Sequence, residues 1–269
     1  MSSTNKNTHY WEKRVQKSAE AKEHTVKMQK LYEDEIDEAI TRSMIFDADF
    51  HYDTSPRNGT MHIELLDTDS VSGIFTARKK SNGNIGVLNF ASYKNPGGMF
   101  LAGSIAQEEC LCHESYLFNV LSDSDFSDYY SWNNEHKNRA LYLNRAIWTP
   151  DVRFVRGEES VKCDVVTCAA PNIDAAKQHC FVSSAENTEV LRDRIRYVLD
   201  IFAYQNVNVP ILGAWGAGVF GQDAKEVATL FKEALKSGRY QFDAVVFAIL
   251  PGPNFDAFRD VFEGGNKDE

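Results

Sequence analysis

The stretch NPGGMFLAGSIAQEE, residues 95–109, places two adjacent glutamates ten residues after a Gly-Gly turn. It follows the run IGVLNFAS, residues 85–92, which is almost continuously apolar and of strand length, as expected for a buried central strand. In open α/β sheets, ligands bind between the carboxyl end of such a strand and the start of the next helix. The segment therefore predicts a glycine loop that wraps a ligand, with carboxylates beside it.

A purely structural role would account for the same residues. Ser104 and Gln107 have the spacing of a capping box, in which the two residues satisfy each other's backbone N–H groups. Glu108 and Glu109 would then lie in the first helical turn, where the helix dipole favours negative charge by about 0.3–1 kcal/mol. The Gly-Gly pair fits either a plain tight turn or a close backbone approach to a ligand. The position of the loop at a strand end favours the catalytic interpretation.

A second glycine loop, GAWGAGVFG at residues 213–221, also lies between an apolar strand and a predicted helix. Gly216, Gly218 and Gly221 match the dinucleotide-binding pattern, but that pattern needs an acidic residue at the next strand end, and Glu233 lies in a predicted helix. A nicotinamide-binding Rossmann domain is therefore disfavoured. Consecutive N–H groups before a helix still suit a diphosphate. Two such loops and one acidic pair favour glycosidic chemistry on a nucleotide diphosphate.

Composition sets the class of protein. The chain has 269 residues, a net charge of -10, 43% hydrophobic and 25% charged residues, which is ordinary for one soluble globular domain. The negative charge argues against a general nucleic-acid-binding surface. The polar start and the absence of a long apolar stretch predict neither a signal peptide nor a membrane span. Five cysteines without CxxC spacing indicate free thiols in a reducing cytoplasm, and no zinc site.

Buried strands alternate with amphipathic helices, which predicts an α/β layered fold with a mixed or largely parallel sheet. Strands are predicted at residues 60–67, 72–78, 85–92, 163–172, 209–212 and 242–250, with a strand–turn–strand unit at 140–155. Helices are predicted at residues 8–42, 110–121, 188–204, 223–238 and 254–264, a turn at 54–59, a polar and aromatic loop at 122–138, and a frayed C-terminus.

Taken together, the two glycine loops resemble the microbial-type poly(ADP-ribose) glycohydrolase family, a branch of the macrodomain fold. The family signature is three glycines, a spacer of six to eight residues and Gln-Glu-Glu, and the chain has GGM, FLAGSIA and QEE. The segments LNFASYKNPGG and LGAWGAGVFG are also similar to the family, and the similarity runs from about residue 40 to 262. The combination is far more specific than either loop alone.

The resemblance implies a macrodomain-like three-layer α/β/α fold with a central mixed sheet over residues 41–265, after an N-terminal helical extension at residues 1–40. It implies hydrolysis of the O-glycosidic ribose bond of poly(ADP-ribose) or ADP-ribosylated proteins, without cofactor or metal. The alternative is a macrodomain reader that binds ADP-ribose without cleaving it. We expect a monomer that binds neither membranes nor specific nucleic acid sequences.

Residue by residue, the resemblance implies that Glu109 is the general acid/base at the anomeric centre and that Glu108 orients the ribose hydroxyls. The first loop would approach the distal ribose, and the second would cradle the diphosphate. The residues implied in ligand binding are Asn89, Asn95, Gly97, Gly98, Gln107, Gly216, Ala217, Gly218, Val219, Phe220 and Gly221.

Some of these residues keep two interpretations. Phe220 packs on a ribose or fills the core, and Asn95 touches the distal ribose or caps its own turn. Gln107 supports the loop or contacts the sugar, and Asn89 is similar in place to a residue that reads adenine. Met99 stands where the third glycine is expected. Its side chain would strain a positive-φ turn, block the next unit of a polymer, or be accommodated by a shifted loop.

Overall fold

The computed structural model describes residues 3–53 and 61–264, with side chains from residue 11 onward. Within these ranges one seven-stranded sheet has the order β1-β4-β5-β3-β6-β7-β2. The strands are β1 (Met44–Phe46), β2 (His62–Leu66), β3 (Ile85–Phe90), β4 (Ala146–Arg156), β5 (Glu159–Cys168), β6 (Val209–Leu212) and β7 (Ala244–Ala248). The five strands from β5 to β2 are parallel, whereas β4 is antiparallel to both β5 and β1. The sheet is therefore mixed.

Helices cover both faces of this sheet. They are α1 (Ser3–Arg42), α2 (Ser70–Lys80), α3 (Gln107–His113), α4 (Leu117–Leu121), α5 (Ser127–Glu135), α6 (Ile173–Cys180), α7 (Ser184–Tyr204), α8 (Ala224–Lys236) and α9 (Pro253–Glu263). On β3, Val87 belongs to the core that contains Ile74 of α2, and Leu88 to the core that contains Val198 of α7. Because successive strand residues face opposite sides, β3 is buried on both. The predicted three-layer α/β/α arrangement is confirmed.

One predicted strand is wrong. Residues 72–78 lie in α2, where the Asp69 side chain accepts a hydrogen bond from the Ser72 backbone N–H at 2.9 Å and so caps the helix. A Cβ on Gly73 would lie 2.8 Å from the Ala248 Cβ, so the helix approaches β7 closely. A short apolar run does not distinguish a strand from a buried helix segment by periodicity.

Three further boundaries differ from the prediction. Residues 140–155 contain one strand with a bulge between Thr149 and Val152 rather than two strands, and the predicted loop at 122–138 contains α5. The helix predicted at 110–121 is divided into α3 and α4. The predicted turn at 54–59 and most of the C-terminus that was expected to fray lie outside the described residues.

The long helix α1 packs directly onto the body of the protein. It is interrupted at Tyr32, which has φ -133° and ψ 29°, and its residues Ala21, Met28, Ile36 and Ala39 are buried in the same core as β3. The division of the chain at residue 40 stays an interpretation of the sequence. No helix in the described ranges is long and apolar enough to cross a bilayer.

Candidate functional site

The topology brings the two glycine loops together. The first follows β3 and the second follows β6, and these strands are parallel neighbours, so both loops leave the same edge of the sheet. The contact is close at the base of the loops, where a Cβ on Gly213 would lie 2.9 Å from Phe90 Cζ. Two segments more than a hundred residues apart in the chain therefore lie side by side at one edge of the sheet.

Gln107 ties the start of α3 to the central strand. Its Oε1 accepts from the Phe90 backbone N–H at 2.8 Å, and its Nε2 donates to the Leu88 carbonyl at 2.9 Å and to the Ser70 hydroxyl at 3.1 Å. The N-cap residue is Ala106, which has no capping side chain, so the capping-box interpretation with Ser104 is wrong. The Gln107 side-chain amide instead forms hydrogen bonds with backbone groups at the end of β3.

Glu108 is a buried carboxyl held by several donors. Its Oε2 accepts from the Ser92 backbone N–H at 2.7 Å, and its Oε1 accepts from Asn89 Nδ2 at 3.2 Å. The pKa of Glu108 is raised to about 8, chiefly by burial and also by the charge of Glu109, against the hydrogen bonds from Ser92, Asn89 and Gly97, which lower it. The acidic pair therefore retains a proton at neutral pH.

Glu109 is buried beside it but has one oxygen without a partner. Its Oε1 accepts from the Met99 backbone N–H at 2.8 Å. Its Oε2 is buried and has no hydrogen-bond partner among the described residues. A buried carboxylate oxygen without a protein donor is costly, which indicates a group that is completed by another molecule. Glu109 is thus fixed through one oxygen, and the other is available for chemistry.

The glycine turn lies against this pair. Gly97 and Gly98 have φ values of 62° and 61°, in the left-handed region. A Cβ on Gly98 would lie 2.6 Å from Glu109 Oε1 and 2.8 Å from Glu108 Oε2, so only a glycine fits there. Met99 has φ -108°, which any residue adopts, so the expectation that it would strain a positive-φ turn is wrong. Its side chain is 47% exposed at the rim.

The second loop presents backbone N–H groups. Those of Gly216, Gly218, Val219 and Phe220 have no acceptor within the described part of the chain. The loop is fixed from below, because the Ile173 backbone N–H donates to the Phe220 carbonyl at 3.0 Å, and α8 begins directly after it. Exposed N–H groups ahead of a helix N-terminus are suited to phosphate oxygens.

An aromatic cluster connects the two loops, and sequence reasoning missed most of it. Tyr93 of the first loop stacks on Tyr142 with ring centroids 4.2 Å apart, and Tyr142 contacts the edge of Phe220 at 6.0 Å. Tyr142 has a left-handed φ of 61°. Phe220 packs against this buried pair while it remains partly exposed, so it contributes to the core and also has a free surface.

The two asparagines occupy different surroundings. Asn89 is fully buried, and its Nδ2 also donates to Thr167 Oγ1 at 3.2 Å. The hydrogen bonds of Asn89 therefore orient the Glu108 carboxyl. The adenine contact stays a prediction that no contact in this geometry supports. Asn95 is exposed, and its carbonyl accepts from the Gly98 N–H at 3.1 Å within the turn. Its position at the rim leaves both earlier interpretations open.

A separate groove of about 490 Å³ lies between α7 and α8 and includes residues from neither glycine loop. Two of its arginines are neutralised, Arg192 by Glu233 and Arg239 by Asp200. No group of three His, Cys, Asp or Glu side chains within residues 3–53 and 61–264 has metal-binding geometry. The glycine-loop edge is therefore the candidate site.

Fold and loops together define a macrodomain-like α/β protein with a buried acidic pair beside its glycine loops. The chain belongs to the microbial-type PARG family, since the family profile, described as the microbial-type PARG catalytic domain, matches residues 4–157. The match begins within α1 and covers the first loop and both glutamates. No curated protein sequence matches the chain.

Solved structures of the same family are similar over most of the chain. Poly(ADP-ribose) glycohydrolase from Thermomonospora curvata has a TM-score of 0.83 and 27% identity, covering 93% of this chain and 100% of that one. The same enzyme bound to the inhibitor ADP-HPD has a TM-score of 0.80 at 27% identity with the same coverage. Poly(ADP-ribose) glycohydrolase from Deinococcus radiodurans in complex with ADP-ribose has a TM-score of 0.75 and 30% identity, covering 85% of this chain and 97% of that one.

Proposed function

We propose that this protein is a poly(ADP-ribose) glycohydrolase that hydrolyses O-glycosidic ribose bonds and releases ADP-ribose. Family membership and the ADP-ribose and ADP-HPD complexes of its structural relatives support this function. The observation that carries the assignment is the state of Glu109, which is buried, fixed through Oε1 by the Met99 N–H, and unpartnered at Oε2. This is the arrangement that a positioned proton donor requires.

In the proposed complex the second loop holds the diphosphate through its backbone N–H groups, and the distal ribose lies over Gly98. Glu109 protonates the leaving oxygen as the C1–O bond breaks, which gives an oxocarbenium-like transition state. Water then attacks C1 and returns a proton to Glu109. The substrate diphosphate supplies negative charge near the developing cation. Atoms and charges balance over the cycle without a cofactor.

Glu108 has a supporting role in this scheme. Because the pKa of Glu108 is raised to about 8, its carboxyl retains a proton at neutral pH. A protonated Glu108 limits the repulsion between the two adjacent carboxyls while Glu109 acts as the acid/base. The donors on both Glu108 oxygens hold the carboxyl in one orientation, from which it hydrogen-bonds ribose hydroxyls.

We extend the proposal to the partners and the location. The substrate is poly(ADP-ribose) or ADP-ribose attached to proteins, and the protein acts as a monomer in the cytoplasm. The net charge of -10 supports recognition of the nucleotide through backbone groups in a cleft rather than through a basic surface.

The test compares ADP-ribose release from poly(ADP-ribose) by the wild type and by Glu109→Gln. We expect kcat to fall by about 10²–10⁴-fold, the usual contribution of a general acid/base, with little change in the Kd for ADP-ribose. The control is Glu158→Gln, at an exposed glutamate in the turn between β4 and β5, which should leave turnover unchanged.

Each result has a defined meaning. Wild-type turnover in Glu109→Gln would refute the assigned mechanism. Tight ADP-ribose binding by the wild type without any release of product would make the protein a reader of ADP-ribosylation rather than an enzyme. Calorimetry with ADP-ribose, run beside the turnover assay, separates these two outcomes.

A further inference from the structure

The N-terminal helix α1 is hydrogen-bonded to the segment that joins the glycine turn to the acidic pair. Arg14 Nε donates to the Ala102 carbonyl at 2.9 Å, and the Ser18 hydroxyl donates to the Leu101 carbonyl at 2.6 Å. These bonds span 88 and 83 residues of sequence. Both acceptors belong to the short 3-10 helix Phe100–Ala102, which follows Met99 directly.

The backbones of α1 and this segment also touch. Gly103 has a left-handed φ of 79°, and a Cβ placed on it would lie 2.1 Å from the Arg14 carbonyl oxygen and 2.9 Å from the Ser18 nitrogen. No residue other than glycine fits this contact without displacing the helix. The helix therefore lies directly against the turn that follows the 3-10 helix.

Further along its length, α1 also packs against the buried side of the same segment. The ring of His24 packs edge-on against the fully buried Phe100 at a centroid distance of 6.4 Å. His24 Nε2 lies 2.9 Å from the Ser115 carbonyl, beyond the end of α3. The helix thus contacts the chain on both sides of Glu109, before it at Phe100 and after it at Ser115.

Apart from α1, the segment is held by the Phe100 ring, which packs against His113 at 4.7 Å and Phe118 at 5.1 Å. Its 3-10 helix is three residues long, and Met99 and Leu101, on either side of Phe100, are 47% and 39% exposed. Yet the Met99 N–H is the donor that orients Glu109 Oε1. A displacement of residues 100–103 would move that N–H, and with it the carboxyl.

We propose that Arg14 and Ser18 of α1 are positioning residues for the reaction, which hold the 3-10 helix so that Met99 fixes Glu109. This inference rests on the proposed glycohydrolase function. Neither residue touches the substrate. Their contribution is to the orientation of the acid/base, and so they act on kcat rather than on ADP-ribose affinity.

The experiment uses the full chain and the double variant Arg14→Ala/Ser18→Ala with poly(ADP-ribose). We expect kcat to fall by about tenfold or more, since sub-ångström to 1 Å errors in a catalytic group cost up to about 10²-fold. KM and the Kd for ADP-ribose should stay within about threefold, the scale of one lost solvent-exposed contact. Arg14→Lys keeps a donor for the Ala102 carbonyl and should retain most of the activity.

The matched control acts on the same helix away from the loop. Asn119 Nδ2 of α4 donates to the Thr25 carbonyl at 3.0 Å and to Gln29 Oε1 at 3.2 Å, so Asn119→Ala loosens α1 without touching the 3-10 helix. We expect this variant to keep wild-type kcat. If the double variant does not fold, the single variant Ser18→Ala replaces it, with an expected fall in kcat of about threefold or more for one hydrogen bond.

The outcomes separate the inference from the function beneath it. Wild-type kcat in the Ser18→Ala and double variants, or an equal loss of kcat in Asn119→Ala, overturns the positioning role. A rise in KM alone also overturns it, because that would place α1 in substrate binding. A wild-type protein that releases no ADP-ribose, or Glu109→Gln with full turnover, instead refutes the proposed function itself.

Discussion

Replacement of Gly98 by alanine tests the geometry of the acidic pair directly. The new Cβ would lie 2.6 Å from Glu109 Oε1 and 2.8 Å from Glu108 Oε2, whereas ordinary contact begins at 3.4 Å. Both oxygens are held by backbone N–H groups, of Met99 and of Ser92 respectively, so neither moves without breaking a hydrogen bond. Glu109 Oε1 would have to shift by roughly 0.8 Å to restore contact distance.

The magnitude follows from two separate costs. A non-glycine residue at φ 61° costs about 1–2 kcal/mol in backbone strain. The overlap with the carboxyls adds about 1–3 kcal/mol, as in other overpacked interiors. We expect Gly98→Ala to lower the free energy of unfolding by the sum of both. Because a shift of nearly 1 Å at a catalytic group costs on the order of 10²-fold in rate, kcat should fall by about 10–100-fold.

Gly157 provides the matched control. It has φ 62°, almost the same as Gly98, but a Cβ there would meet nothing within 4 Å. Gly157→Ala therefore reports the strain alone and should leave kcat unchanged. Thermal melts of the two variants give the stability difference, at about 2–4 °C for each kcal/mol in a domain of this size. ADP-ribose release gives the effect on kcat.

The reasoning is refuted if Gly98→Ala melts at the same temperature as Gly157→Ala and keeps the wild-type kcat. That result would mean that the carboxyls are not held against the glycine turn. If Gly98→Ala and Gly157→Ala lose the same stability but only Gly98→Ala loses kcat, the carboxyls lie where the structure places them. The steric overlap would then cost less free energy of folding than expected.

Two further predictions concern buried charge. Glu108 has a folded-state pKa of about 8 against an ordinary 4.5, so its stabilising contribution is complete below about pH 4.5 and is lost as pH rises through 8. Relative to Glu108→Gln, the wild type should therefore lose free energy of unfolding between pH 5 and 8. The expected loss is on the order of 3 kcal/mol, at about 1.4 kcal/mol per pKa unit. A stability difference between the two proteins that does not change with pH would contradict this. Arg194 is buried and donates to the Ala169 carbonyl at 2.6 Å, so Arg194→Met should cost roughly 2 kcal/mol or more in chemical denaturation. Arg192→Met, at a half-exposed arginine on the same helix, should cost less than about 1 kcal/mol, and equal losses would show that burial is not the cause.

The sequence alone predicts the proximity of the candidate site residues where local pattern and chain order determine it. Gly97, Gly98 and the glutamates share one strand–loop–helix unit, so their proximity follows from short spacing. The convergence of the two loops followed from the resemblance and from the rule for strand ends in α/β sheets. The structure places both loops at the ends of neighbouring parallel strands.

Other features depend on contacts that no local pattern encodes. Gln107 has the spacing of a capping residue, but its amide binds the end of β3, and only the three-dimensional approach of strand and helix decides between these partners. Tyr142 reaches Tyr93 and Phe220 through a turn in which Asn138, Arg139, Ala140 and Tyr142 have left-handed φ values, and a stretch without glycine does not predict such values. Residues 72–78 form a helix because Asp69 caps it and the sheet below accepts its apolar face. Tertiary packing determines the outcome in each case.

The place of β3 in the sheet has a consequence during biosynthesis. Both of its neighbours, β5 and β6, are encoded later than β3 itself, and β6 ends at Leu212. At translation rates of about 5–20 residues per second, the strand waits roughly 6–24 s for its second neighbour. During that interval the nascent polypeptide carries an apolar segment, residues 85–90, that it has no means of covering from both sides. Ribosome-associated chaperones are expected to engage this segment during that interval.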